Sequence, residues 1–281
     1  MLKTRILTAL VLAPLVLAAF FLLPPRGFGV AMLAVTLLAA REWSRLAGLP
    51  DRMQWLFTGG ILTAGVGLLF LPAFAFDRGW PAAVVLSVCG LSGLFWVLVA
   101  PAWVTRRWKT SGPWTMVVTG WIVLLGAWLA LVEMQARSPW LVLAAMALVW
   151  IADTAAYFSG RAFGLRKLAP EISPGKTWEG VYGALAAVAL YAFLLLSLVP
   201  PDGSVPALGA PAIAACIAYA LLITGISVIG DLFESLMKRH AGVKDSGNLL
   251  PGHGGVLDRI DALLAAMPLA AIAAQLFLVK S

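Results

Sequence analysis

Eight of the chain's 13 acidic residues lie in two stretches, residues 153–180 (DTAAYFSGRAFGLRKLAPEISPGKTWEG) and 230–261 (GDLFESLMKRHAGVKDSGNLLPGHGGVLDRID). Asp258 and Asp261 are three positions apart. A helix there puts them on one face, with Cβ atoms about 5–6 Å apart and their charges in repulsion. Asp153 and Asp231 stand among aliphatic or small neighbours, and a carboxylate in such a setting faces a cavity, a partner or an ion. Pairing with Lys238, Arg239 or Arg259, or a favourable place at a helix N-terminus, would account for some of these acids. A divalent-cation site would account for several converging. Mg²⁺ takes one or two carboxylates together with water and phosphate oxygens, which Asp231, Asp258 and Asp261 can offer if their two helices are neighbours. Zinc does not fit, because His240 and His253 are the only histidines and neither stands at ligand spacing from another ligand. His253 could cap, contact a phosphate or move a proton.

Basic residues accompany the acids: Arg161, Arg166, Lys167 and Lys176 in the first stretch, Lys238, Arg239, Lys244 and Arg259 in the second. Mixed signs suit a metal-bound polyphosphate better than a bare cation. Gly252, Gly254 and Gly255 flank His253, and backbone without a Cβ can approach a phosphate closely. Two familiar motifs are excluded. Gly175, Lys176 and Thr177 mimic the end of a P-loop, but Pro170 occupies the position of its first glycine and no strand is expected before it. Ser235, His253 and Asp258 lack the nucleophile elbow of a hydrolytic triad.

The elements that must position these groups are membrane helices. The chain is 62% hydrophobic and 12% charged, with mean hydropathy +0.95, whereas a soluble domain is about half apolar and a quarter charged. About nine apolar runs (6–23, 27–40, 55–76, 80–100, 114–134, 140–158, 180–199, 208–230 and 260–279) approach the roughly 20 residues that cross a bilayer. The expected fold is all-α, a polytopic membrane bundle of about nine helices. The second run is short, ending at Arg41 and Glu42, so it either tilts or lets Arg41 reach outward. The first, preceded by Lys3 and Arg5, is read as a span and not a removable leader. Trp55, Trp80, Trp114 and Trp140 open four of the runs, where headgroup-level aromatics belong.

Sixteen of the 20 Lys and Arg residues fall at one set of span ends; only Arg26, Arg78, Arg137 and Lys280 fall at the other. That asymmetry places the N-terminus and both acidic stretches in the cytoplasm. Arg106, Arg107 and Lys109, without acidic company in sequence, read as topology signals. The net charge of +7 is dispersed between apolar runs, so no nucleic-acid partner is expected. Cys89 and Cys216 sit inside apolar runs and read as small core residues. Residues 1–281 form one membrane domain, with 1–135 as scaffold or dimer helices and 136–281 as catalytic helices and cytoplasmic loops.

The string Ser235, Lys238, Arg239, Lys244, Asp245, Pro251, His253, Gly254, Gly255, Asp258, Arg259, Asp261, at these spacings, resembles the signature of the phosphatidate cytidylyltransferases, or CDP-diacylglycerol synthases. The stretch with Asp153, Tyr157, Gly160, Arg161, Gly164, Ser173, Pro174, Lys176, Thr177, Glu179 and Gly180 is similar to that family as well. The resemblance covers the C-terminal half in motifs and the N-terminal half in hydropathy alone. It implies a homodimeric enzyme of the cytoplasmic membrane that converts phosphatidate and CTP to CDP-diacylglycerol and pyrophosphate. It also implies Mg²⁺, with room for a monovalent cation such as K⁺ beside it. On this reading Asp231, Asp258 and Asp261 hold metal. Lys238, Arg239, Lys244, Asp245, His253 and Arg259 are catalytic, and Asp153, Lys176, Ser235, Gly254 and Gly255 bind substrate. A CDP-alcohol phosphotransferase would carry DxxDGxxAR, which is absent. A cation-coupled transporter could use Asp153 and Asp231, but repeated halves with broken helices are lacking.

Overall fold

The computed structural model of the chain describes residues 2–71, 74, 79–109, 112–198 and 209–278. Each of the nine apolar runs contains or overlaps a helix: α1 Leu2–Leu22, α2 Pro25–Leu46, α3 Asp51–Leu69, α4 Ala82–Arg106, α5 Pro113–Arg137, α6 Pro139–Phe163, α7 Trp178–Leu198, α8 Ala210–His240 and α9 Leu257–Ala273. Among the described residues, α4 to α8 are long and apolar enough to cross a membrane by themselves. Prolines open α2, α5 and α6, where the missing N–H would have no intrahelical acceptor. Of the residues in the orientation count, Arg78 and Lys280 lie outside those described.

α9 is the centre of the bundle. Its residues 262–269 are all buried, packed among α4, α5, α6 and α8. Phe233 of α8 anchors an aromatic cluster, with ring centroids 6.1 Å from Trp43, 5.7 Å from Phe95, 5.6 Å from Trp96 and 5.4 Å from Trp103. Indole N–H groups tie the N-terminal helices together: Trp43 Nε1 donates to Met116 O and Trp128 Nε1 to Gly29 O, both at 3.0 Å. Apolar side chains cover the outer surface, including Leu10, Leu98, Trp114 and Trp140, as a bundle solvated by lipid requires. Cys89 and Cys216 are free thiols.

Four expectations need correction. α2 does not stop at Ala40 but runs to Leu46, with the Arg41 guanidinium 4.0 Å from the Trp55 ring centroid and Glu42 turned inward. The sixth and eighth helices continue past their apolar runs to Phe163 and His240, so Arg161, Ser235, Lys238 and Arg239 stand on helices and not in loops. Trp55, Trp114 and Trp140 are exposed as expected, but Trp80 is buried, its Nε1 donating to Leu68 O at 3.0 Å. The strand-free expectation also fails locally: β1 Lys167–Ala169 and β2 Ser173–Thr177 form an antiparallel hairpin that pairs Lys167 with Thr177.

Candidate active site

Helical periodicity puts Asp231, Ser235 and Lys238 on one face of α8, and Asp153, Tyr157 and Gly160 on one face of α6. Two close crossings bring these faces to the others. At Gly230 a Cβ would stand 2.7 Å from Ala265 Cβ and 2.8 Å from Asp261 O, so only glycine lets α8 settle against α9 and set Asp231 beside Asp261. At Gly180 a Cβ would stand 2.8 Å from Ala156 O, which fixes the approach of α7 to α6. Thr177, buried at the start of α7, accepts Gly180 N at 3.2 Å and marks the end of the hairpin.

Between these elements lies a cavity of about 550 Å³, whose lining includes Asp153, Lys176, Asp231, Asp258, Arg259 and Asp261. Lys176 Nζ stands 2.6 Å from Asp231 Oδ2. Asp231 acts electrostatically on both Asp153 and Asp261, and Lys176 opposes it at both. With Asp258, Arg161 and Arg259 also in the lining, four acidic side chains face three basic ones, and Lys176 is the one placed beside Asp231. Among the described residues, no three acidic, histidine or cysteine side chains are gathered into a ready-made metal site.

Asp258 is more constrained. Its Oδ1 accepts Lys238 Nζ at 2.7 Å, and its Oδ2 accepts Ser246 N at 2.9 Å, Gly255 N at 2.8 Å and Ser246 Oγ at 3.0 Å. Lys238 also pairs with Glu234 one turn earlier. Arg239 Nε donates to Ile172 O at 3.1 Å, tying the hairpin to the end of α8. Arg259 Nε donates to His253 O at 2.9 Å. Glu179 accepts Leu165 N, Arg166 N and Arg166 Nε at 3.1–3.2 Å and braces the hairpin from the other side; these contacts raise the Arg166 guanidinium above its usual pKa. Arg107 pairs with Glu171 next to the hairpin turn, an exposed contact that gives this topology signal an acidic partner.

The predicted site residues therefore divide. Asp153, Lys176, Asp231, Asp258, Arg259 and Asp261 share the cavity. Ser235 donates to Asp231 Oδ1 at 3.3 Å, Lys238 is held between Glu234 and Asp258, and exposed Arg239 bonds to the hairpin. Lys244 and Asp245 are exposed on the segment between α8 and α9, and buried His253 Nδ1 finds no hydrogen-bond partner among the described residues. Gly254 adopts φ 81° and bridges to Leu250, and Gly255 lends its N–H to Asp258. Sequence reasoning missed Glu42: its side chain accepts hydrogen bonds from Ser246, Val256 and Leu257. The only local signal was an acid next to an apolar run, which reads as a span end.

The profile of the cytidylyltransferase family matches residues 3–277. The chain is 43% identical over 276 residues to a phosphatidate cytidylyltransferase of Pseudomonas aeruginosa, covering 95% of each. It is 37% identical to one of Haemophilus influenzae, covering 95% of this chain and 96% of that one, and 32% identical to one of Thermotoga maritima, covering 96% and 95%.

Proposed function

The chain belongs to the cytidylyltransferase family, and from that membership we propose that it transfers the cytidylyl group of CTP to phosphatidate, releasing pyrophosphate and leaving CDP-diacylglycerol. The observation that carries this reading is a cavity in a membrane bundle that gathers Asp153, Asp231, Asp258 and Asp261 with Lys176, Arg161 and Arg259, the mixed charge a metal-bound polyphosphate calls for. A phosphatidate phosphate oxygen attacks the α-phosphorus of CTP; the new P–O bond forms as the α–β bridge breaks, and pyrophosphate carries away the electron pair. The nucleophile is already anionic, so no strong base is needed, and the work left is positioning and neutralising charge.

Mg²⁺ suits the donor chemistry: Asp231, Asp258 and Asp261 offer hard carboxylate oxygens along one cavity lining where the Gly230 crossing brings their helices together, although Asp258 would have to exchange its Lys238 contact to become a ligand. These three residues would hold it, and the residual negative charge leaves room for a monovalent cation such as K⁺. When bound, Mg²⁺ would polarise phosphate oxygens and stabilise the leaving group. Lys176 and Arg259 face the cavity and offset phosphate charge. Lys238 and Arg239 act by holding Asp258 and the hairpin, and Lys244, Asp245 and His253 belong to the segment between α8 and α9. The split of basic residues supports a site on the cytoplasmic side, and the bacterial relatives support the inner membrane. Homodimer formation follows from the family resemblance and is tested by the mass of the detergent-solubilised protein.

The deciding experiment is pyrophosphate release from CTP and phosphatidate by purified protein, with Mg²⁺, with EDTA and without lipid. Release that needs both the lipid and the metal is expected. Release without lipid would refute the acceptor, and release in EDTA would refute the metal.

A further inference from the structure

Glu42 brings the N-terminal part of the chain to the acidic site. α2 carries Glu42 into the turn ahead of α9, where it is 5% exposed. Its Oε1 accepts Val256 N at 3.0 Å, and its Oε2 accepts Leu257 N at 2.7 Å and Ser246 Oγ at 2.9 Å. The first amides of a helix have no intrahelical acceptor, and here the local segment supplies no conventional cap, since Val256 holds the N-cap position. α9 takes its cap instead from a residue 214 positions before Val256.

The remaining donors of this turn go to the site itself. Gly255 N donates to Asp258 Oδ2 at 2.8 Å, and Asp258 N to Ser246 Oγ at 3.3 Å. The Ser246 hydroxyl lies between two carboxylates, 2.9 Å from Glu42 and 3.0 Å from Asp258, and has one proton to give. Space has been cleared for Glu42 as well: a Cβ on Gly255 would stand 2.5 Å from Oε2, and one on Gly247 would collide with Oε1. A neutral amide cannot replace this carboxylate without turning an NH₂ group toward at least one of its donors.

We infer that Glu42 is a positioning residue: from the N-terminal helices it fixes the first turn of α9, and through Ser246 the orientation of Asp258, so that Asp258 and Asp261 are presented to the cavity together. Glu42 itself is not among the residues that line the cavity. The kinetic part of its test rests on the proposed Mg²⁺-dependent cytidylyl transfer. A control stands on α5. Glu133, 1% exposed, accepts Trp80 N at 2.8 Å, Arg137 Nε at 2.5 Å and Gln275 Nε2 at 2.8 Å, so it is buried and bonded as fully as Glu42 but touches no site residue.

Glu42→Gln, Ser246→Ala and Glu133→Gln are made in the full chain. Each is titrated with Mg²⁺ while thermal unfolding is followed without substrate, and kcat and KM for CTP are measured separately. Loss of a side chain that orients metal ligands typically costs about 10- to 100-fold in affinity or activity. Glu42→Gln is expected to lose kcat on that scale and to need several-fold more Mg²⁺ for half-maximal stabilisation, with Ser246→Ala shifting the same way. Glu133→Gln is expected to unfold at lower temperature with Mg²⁺ dependence and kcat unchanged. If Glu42→Gln reproduces the Glu133→Gln pattern, the inference is overturned. Should Glu42→Gln fail to fold, wild-type kcat and Mg²⁺ dependence in Ser246→Ala overturn it. If the wild type itself releases no pyrophosphate, the proposed activity has failed. Amide exchange across residues 246–260 then decides the positioning role alone, since Glu42→Gln must accelerate it and unchanged exchange refutes it.

Discussion

Asp258→Asn preserves volume and replaces one carboxylate oxygen with an NH₂ group, and the surroundings of Asp258 accommodate neither orientation. With the oxygen kept toward Lys238, the NH₂ faces the Ser246 and Gly255 amides, which are themselves donors at 2.9 and 2.8 Å. In the reverse orientation it faces the Lys238 ammonium at 2.7 Å. At least one charge-assisted bond, worth about 1.5–3 kcal/mol, becomes a donor–donor contact. Breaking a buried ion pair costs about 3–5 kcal/mol, and these side chains are only 15% and 5% exposed. Lys238 retains Glu234, so the loss should fall near the lower end, about 3 kcal/mol. The variant should insert and fold with a lowered unfolding midpoint and show no turnover in the pyrophosphate assay. Near-normal activity would refute the placement of Asp258 in the site. Activity that falls only in step with the folded fraction would reduce Asp258 to a structural brace.

Lys238→Met should destabilise more than Asp258→Asn in the same unfolding assay, because it strands both Glu234 and Asp258, each with side chains 5% exposed; a smaller effect would show that Glu234 does not depend on Lys238. Gly230→Val forces a side chain against Ala265 and Asp261, so it should cost about 1–3 kcal/mol through overpacking and abolish pyrophosphate release as α8 moves off α9; full activity would mean that the crossing does not set the site. In inverted and right-side-out vesicles, a membrane-impermeant maleimide should reach Lys244→Cys from the cytoplasmic side and Gly209→Cys from the other. Both variants are made with Cys216→Ser, because Cys216 is only partly buried whereas Cys89 is buried, and labelling of both from one side would refute the topology.

The spans and the acids were legible because each depends on local chemistry. An apolar run of bilayer length has one stable conformation in lipid, and a carboxylate such as Asp153 or Asp231 among small apolar neighbours stands out against it. Hydropathy failed where a helix outlives its apolar character. Backbone hydrogen bonding carries α8 past Gly230 through Glu234, Ser235 and Lys238, since no proline or glycine intervenes before Gly242 and the charges pair within the turn. Glu42 was illegible for another reason. Adjacent helical residues point about 100° apart, so Arg41 lies over Trp55 at the surface while Glu42 enters the core. Nothing in the linear string separates the two fates, and the partners of Glu42 are more than 200 positions away. The hairpin was missed because its short strands owe their place to Arg239, Glu179 and the crossing of α6 and α7, all tertiary contacts.

The same tertiary contacts set the electrostatic problem that substrate must solve. Asp153, Asp231, Asp261, Glu234 and Asp258 stand near one another, with Lys176 and Lys238 as their close ammonium partners. A triphosphate or an anionic lipid phosphate entering alone would meet like charge in a setting where screening by water is weak. The phosphates must therefore arrive with countercharge, and the hard oxygens of Asp231 and Asp261 select a small divalent cation over a soft one. CTP binding measured by equilibrium dialysis should accordingly be weak in EDTA and strengthen with Mg²⁺. Asp261→Asn, which removes one of the repelling charges, should narrow that difference by improving metal-free binding. Equal CTP binding with and without the divalent cation would show that Lys176 and Arg259 suffice to neutralise the nucleotide, and the charge argument would fail at its first step.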